Sequence, residues 1–214
     1  MKILELFAGS RSIGKEAEKL GYYVFSVDIE PFDGIDLVKD IGLLKYSDIP
    51  FIPDMIWASP PCTTYSIAAI SHHRPINAKI SHTAFVHDQV NRHFLNMIRY
   101  FVERVNPNMK YYIENPRGYM RKMEFMVGIP RTTVTYCSYG DTRMKPTDIW
   151  SNNLYNPIFN PTGWNPRPMC HNGNKKCHHE PAPRGSKTGT QGLKGNYERS
   201  IIPSELCKEV LMAL

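Results

Sequence analysis

The sequence of 214 residues contains no run of eighteen apolar residues, so no segment reads as a membrane-spanning helix. It has only five cysteines, an odd number and widely spread, which argues against a disulfide framework and for a reducing compartment. No internal repeat and no complete G-x-G-x-x-G turn is present. The N-terminal run Met1 to Phe7 carries Glu5 inside it and no small-residue cleavage site, so it reads as a first strand and not a signal peptide. Acidic residues are scarce between Thr63 and Phe85 and between Trp164 and Asn196, while Arg, Lys and His are frequent in both. With a formal net charge of +6, these two loops are where a polyanion would sit. A hydrophobic content of 42% is sufficient for the core of one domain of ordinary size.

Against this background one stretch organises the chain. Met55 to Ala58 is a short apolar run that reads as a buried strand. Ser59-Pro60-Pro61 ends it, because two prolines supply no N–H to continue a ladder. Cys62 follows that stiff corner. A thiol at the carboxyl end of a buried strand is well placed for a nucleophile.

The chain opens with a strand (Lys2 to Phe7), a glycine turn (Ala8-Gly9-Ser10), a helix (Ser12 to Leu20, ended by Gly21), a second strand (Tyr22 to Val27) and an acid, Asp28. This is the order of a nucleotide-binding α/β unit; an ordinary βαβ unit without a ligand reads the same way. Asp40 is a further acid. The polar segment from Thr63 to Thr83, with His72, His73, Arg74, Lys79 and His82, is long enough to read as a mobile functional loop. Phe94, Met97, Ile98, Phe101, Val102 and Val105 repeat at three and four and predict a helix over 85–105 whose stripe is core packing. Lys110 to Ile113 reads as a strand running into Glu114-Asn115-Pro116. A short helix is expected over 119–127 and β-rich runs over 132–137 and 147–150. From Asn152 to Ser200 regularity disappears. Pro203 to Leu214 reads as a terminal helix with Leu206, Val210 and Leu211 on one face.

Gly9, Asp28 and Asp40, the Cys62 thiol and the Glu114-Asn115 pair thus converge at strand ends of one sheet. A cysteine nucleophile needs a stabilised thiolate and an electrophile. A carboxyl group on a neighbouring strand can exchange a proton with a ring nitrogen, and Arg143 can hold an acceptor on the same ring. That set suits attack on C6 of a pyrimidine, which makes C5 nucleophilic.

The same residues resemble, in order, the motifs of the C5-cytosine DNA methyltransferases. Leu6-Phe7-Ala8-Gly9 is similar to motif I, Pro61-Cys62 to the Pro-Cys of motif IV and Glu114-Asn115 to the Glu-Asn of motif VI. Asp141-Thr142-Arg143-Met144-Lys145 resembles the Gln-x-Arg-x-Arg of motif VIII. The resemblance implies a Rossmann-like class I S-adenosylmethionine-dependent fold: α/β, mostly parallel, flanked by helices. It implies a catalytic set of Cys62, Glu114, Asn115 and Arg143. Cys62 would add to C6, Glu114 in its protonated form would bond N3 and the amino group, and Asn115 would orient the Pro-Cys loop. It assigns the cofactor to Phe7, Ala8, Gly9, Asp28 (ribose), Ile29, Asp40 (adenine), Ile41 and Pro60. It implies flipping of the base out of the duplex, and together with the two basic loops it makes Ser66, Arg74, Lys145, Arg184 and Lys187 the candidates for nucleic-acid contact. Departures are Ser10-Arg11-Ser12 after motif I, Thr63 after the Pro-Cys and Pro116 after the Glu-Asn. DNA is the expected partner and a monomer is assumed. Readings left open are a catalytically silent nucleic-acid-binding relative, the same chemistry on RNA or a nucleotide, and exocyclic amino methylation, which Ser59-Pro60-Pro61 also suggests.

The expected organisation is a catalytic domain over 1–151, a loop-rich basic insert over 152–200 that reads the target, and a terminal helix over 201–214 packing back on the catalytic domain. Within the insert, Cys170, Cys177 and His178 are the candidate ligands of a zinc ion, against the plain alternative of reduced cysteines and solvated histidines. Arg184 and Lys187, among Gly, Ser and Thr donors, suit phosphate contact.

Overall fold

The computed structural model describes residues 1–171, 173–180, 193 and 195–214. Among them, seven strands form one sheet: β1 (Lys2–Leu6), β2 (Tyr23–Asp28), β3 (Leu37–Val38), β4 (Met55–Ala58), β5 (Lys110–Pro116), β6 (Arg131–Thr135) and β7 (Pro146–Ser151). The spatial order is β3-β2-β1-β4-β5-β7-β6. The first five are parallel, and β7 runs antiparallel between β5 and β6. This is the α/β, Rossmann-like class I methyltransferase fold expected from the motifs.

The helices are α1 (Ser12–Lys19), the single turn α2 (Ile70–His73), α3 (His82–Tyr100), α4 (Asn196–Ser200) and α5 (Ser204–Met212). The strict alternation of strand side chains divides the core in two. Leu4, Leu6, Ile56 and Ala58 face Phe94, Met97 and Ile98 of α3. Ile3, Met55 and Trp57 face Ile13 and Ala17 of α1 and Leu206, Val210 and Leu211 of α5.

Several expectations are corrected. The helix expected over 85–105 begins earlier, at His82, because Ser81 Oγ accepts the Ala84 N–H at 3.1 Å, and its last turn, Phe101–Val105, is π-helical. The segment over 119–127 is two 3-10 turns, Tyr119–Lys122 and Glu124–Met126. Met120 and Met126 both enter the core six residues apart, a spacing that a continuous α-helix would rotate off a single face. β6 stops at Thr135, and a 3-10 turn, Tyr136–Tyr139, carries Tyr136 inward.

The mobile loop expected from Thr63 to Thr83 is pinned to α3. Tyr65 is fully buried, its hydroxyl donating to Asp88 at 2.6 Å and accepting from Asn91 at 2.7 Å. Arg74 grips the same Asp88 carboxylate with two nitrogens, at 2.6 and 3.0 Å, and lies over the Tyr65 ring at 4.7 Å. A buried carboxylate needs a partnering cation, and here the loop supplies it.

Candidate active site

The carboxyl ends of β1, β2, β4 and β5 open on one side of the sheet, around the switch point between β1 and β4 where such folds bind ligands. Register carries the site residues there. Leu6 pairs with Ala58 and Ala58 with Ile113, so Phe7, Ser59 and Glu114 leave three neighbouring strands at the same level.

At the end of β1 the backbone turns abruptly. Phe7 has φ 54° and Gly9 φ 48°. The left-handed region is strained for a bulky residue such as phenylalanine, and Phe7 is held there with its ring edge-on to Phe94 at 5.4 Å. The Gly9 N–H donates to Asp28 Oδ2 at 2.8 Å, and Glu30 N–H donates to Oδ1 at 2.9 Å. Asp28 thus closes the turn onto β2. Asp40 caps the next turn, its Oδ1 accepting from Gly42 at 2.8 Å, while Ile41 is in the core and Ile29 is exposed. The structure therefore gathers Phe7, Ala8, Gly9, Asp28 and Asp40 at one edge. It also lays α4 over that edge, which sequence reasoning missed: Ser200 Oγ stands 3.1 Å from where a Cβ on Gly9 would be. The Ile202 N–H donates to Ser12 Oγ at 3.0 Å.

Deeper in, the Pro-Cys and Glu-Asn segments are tied together. Asn115 Nδ2 donates to the buried Pro60 carbonyl at 2.8 Å, and Asn115 Oδ1 has no hydrogen-bond partner among the described residues. The Cys62 carbonyl accepts from the Tyr65 and Ser66 N–H groups at 3.0 and 2.9 Å, which forms the turn after the prolines. Glu114 Oε1 accepts the Tyr136 hydroxyl at 2.8 Å, with Lys145 Nζ 3.9 Å away. Tyr136 lies between two cations, Lys145 at 4.5 Å and Arg143 at 5.5 Å from its ring centroid. Burial, then the Glu114 carboxylate, push the Tyr136 hydroxyl well above its ordinary range, so it keeps its proton and donates. Burial raises the Cys62 thiol; Lys145 pulls it back down and Glu114 opposes that. In this arrangement the resting sulfur is a thiol, and the neighbouring ammonium is what favours the thiolate.

Two residues thus have roles the sequence did not indicate. Tyr136, at the end of an ordinary β-rich run, carried no signal. Lys145, assigned to nucleic acid, is largely buried beside Glu114, with its Nζ also 3.3 Å from the Arg199 carbonyl. Arg143 is brought in as expected, but paired with Asp141 and donating to the Ile201 carbonyl at 3.2 Å. Of the other nucleic-acid candidates, Arg74 is held by Asp88, a partner fourteen residues on that no local pattern reveals. Ser66 Oγ accepts from the Ala68 N–H at 3.3 Å. Arg184 and Lys187 lie outside the described residues.

The proposed metal ligands are corrected as well. His178 Nε2 is 3.1 Å from the Asp141 carbonyl and takes no part in a thiol cluster. The cluster is Cys137, Cys170, Cys177 and His179, whose ligand atoms all lie within 4.8 Å of one another. Cys137 lies in the turn after β6, so only the fold brings it to the other three.

No protein-family profile matches the chain. A protein of Frog virus 3 (isolate Goorha) described as "Probable DNA (cytosine-5)-methyltransferase" is 29% identical over 163 residues, 71% of this chain and 70% of the viral one. The solved Entamoeba histolytica methyltransferase EhMeth superposes with a TM-score of 0.50 at 14% identity, over 71% of this chain and 52% of that one. The S. pombe Dnmt2 methyltransferase gives 0.46 at 15% identity, over 71% and 48%. The chain spans about half the length of these solved structures. The chain is thus similar over most of its length to a viral protein described as a DNA (cytosine-5)-methyltransferase, and it shares the fold of a solved methyltransferase.

Proposed function

We propose that the chain transfers a methyl group from S-adenosylmethionine to C5 of cytosine in DNA, by way of a covalent bond between Cys62 and C6. The observation that carries this reading is the Asn115–Pro60 hydrogen bond. It locks the thiol-bearing corner of β4 to the carboxylate-bearing end of β5, so that nucleophile and proton-handling group flank one space. Exocyclic amino methylation has no use for either the thiol or the Glu114–Tyr136 pair.

The edge formed by Phe7, Ala8, Gly9, Asp28 and Asp40 fits the cofactor. A Cβ on Gly9 would press on Ser200, so the turn is a close-fitting cradle, and two carboxylates stand at the ends of adjoining segments to accept hydroxyl and amino protons. When bound, S-adenosylmethionine supplies an electrophilic methyl group. The chain does the rest. Lys145 favours the Cys62 thiolate, which forms the S–C6 bond. Glu114, oriented by the Tyr136 hydroxyl, meets the N3 edge of the ring and stabilises the electron-rich C5=C4 system that results. Arg143, already desolvated beside Tyr136, holds the base carbonyl or the adjoining phosphate. Loss of the C5 proton and departure of Cys62 then restore the aromatic ring. Cys62 is half-buried and Glu114 and Asn115 are buried, so the base must leave the duplex stack to reach them.

The test is incubation with S-adenosylmethionine and duplexes carrying 5-fluorocytosine, followed by intact mass under denaturing conditions. Fluorine blocks the final proton loss, so an adduct through Cys62 with one added methyl group is expected. Cofactor binding without any adduct on varied DNA, or an adduct that survives Cys62→Ala, would overturn the proposal. Adduct formation on RNA alone would move it to that polymer.

A further inference from the structure

We infer that Cys137, Cys170, Cys177 and His179 form a structural zinc site that staples the loop-built C-terminal segment to the catalytic turn after β6. Three thiols and one imidazole converge within 4.8 Å. A tetrahedral ion with Zn–S bonds of about 2.3 Å sets its ligand atoms about 3.8 Å apart, so modest contraction completes the shell. All four residues are drawn together by contacts that involve no metal. The Cys170 N–H donates to Thr135 Oγ1 at 2.8 Å, and Cys170 Sγ is 3.5 Å from His179 Nδ1. Asn174 Nδ2 donates to Cys170 Sγ at 3.3 Å, the kind of outer contact that orients and stabilises a metal-bound thiolate. All five cysteines are free, so no disulfide accounts for the convergence.

The segment needs such a staple. Among the described residues between Asn152 and Glu180 only isolated bridges occur, Leu154 to Trp164 and Asn156 to Asn160, and of these residues Asn153 and Trp164 alone are buried. A segment with so little core does not hold its shape by apolar burial, and metal binding free energy is then folding free energy. The other end of the staple is functional. Cys137 directly follows Tyr136, the residue that donates to Glu114. Around it the Ser138 hydroxyl donates to the Pro168 carbonyl at 3.0 Å, and the Glu180 N–H donates to the Thr142 carbonyl at 2.9 Å. One ion would therefore fix both the turn that positions Glu114 and the segment carrying Asp141 and Arg143.

Zinc content is measurable on the full chain without cofactor or nucleic acid, so the result stands apart from the proposed activity. Elemental mass spectrometry of protein purified under reduction, without metal-affinity resin, should find close to one zinc per chain. Cys177→Ala and His179→Ala should reduce it to background and lower Tm, whereas Cys62→Ala should retain it. A zinc-free chain from zinc-supplemented culture, or wild-type occupancy in the Cys177 and His179 variants, would overturn the inference. Should those variants fail to fold, cobalt(II) titration of the wild-type chain decides. Thiolate-to-metal charge transfer with tetrahedral d–d bands supports the site, and their absence removes it. A zinc-loaded chain that forms no adduct with 5-fluorocytosine would refute the activity and leave the metal site intact.

Discussion

Replacing Glu5 by glutamine should make the protein more resistant to unfolding in alkaline solution and leave it unchanged in acid. Glu5 alternates with Leu4 and Leu6 on β1, so it points into the α1 and α5 side of the core, where it is 2% exposed. Burial pushes its carboxyl from an ordinary value of 4.5 to about 7, against the opposing pull of the Gly14 N–H, the Ser26 hydroxyl at 3.0 Å and Arg11. Below pH 4.5 both folded and unfolded chains carry the proton, and the group is neutral in both. As the pH rises towards 7 the unfolded chain ionises and the folded one does not, so stability falls; above 7 the whole difference has been lost. At about 1.4 kcal/mol per pH unit, the separation between 4.5 and about 7 corresponds to about 3 kcal/mol. Glutamine has the shape of the protonated acid and does not titrate. Urea unfolding of both proteins across pH 4.5 to 8.5 should give curves that coincide at the acid end and separate by about 3 kcal/mol at the alkaline end, the variant being the more stable. Curves that run parallel over the whole range would refute the reasoning.

Four further outcomes follow from the site. Lys145→Met removes the cation that lowers the Cys62 thiol, so the pH midpoint for alkylation of Cys62, mapped by peptide mass, should move upward; an unmoved midpoint would mean Lys145 does not act on the sulfur. Tyr136→Phe deprives Glu114 of a buried donor worth about 1–3 kcal/mol, so kcat should fall about tenfold or more while cofactor affinity holds, and an unchanged kcat would dismiss the positioning role. Arg74→Ala leaves the Asp88 carboxylate buried beside Tyr65 without its cation and should lower the urea-unfolding free energy by about 3 kcal/mol; a loss below about 1 kcal/mol would show the pair to be solvated. Asp40→Ala should weaken S-adenosylmethionine binding by calorimetry, and unaltered affinity would move the adenine pocket elsewhere.

The architecture was legible because its signals are local. Met55 to Ala58 and the prolines after it mark a strand and its end without reference to anything distant. The same holds for the glycine turn after Leu6 and the apolar stripe of α3. The ends of β1, β2, β4 and β5 carry the candidate catalytic and cofactor residues, so a correct strand reading placed Gly9, Asp28, Cys62 and Glu114 at one edge. The contacts that were not legible share a physical origin. Arg74 and Lys145 looked like surface cations because a charge is normally solvated, and nothing nearby in sequence announces Asp88 or Glu114 as a buried partner. Tyr136 looked like one more residue of a strand because the turn that carries it inward depends on packing, not propensity.

What the sequence alone determined is therefore the order of elements, the alternation that divides the core and the residue types that reach the ends of the central strands. These follow from backbone periodicity and from the chemistry of proline and glycine, which act over a few residues. Only the tertiary structure decided which side chain meets which. His179 and not His178 joins the thiols, although the two are adjacent, because the turn that ties His178 to the Asp141 carbonyl directs its neighbour the other way. Cys137 meets Cys170 across thirty-three positions because Thr135 takes the Cys170 N–H. Such pairings are set by the simultaneous packing of distant segments, where one hydrogen bond or one buried charge selects among orientations that local sequence leaves equal in energy.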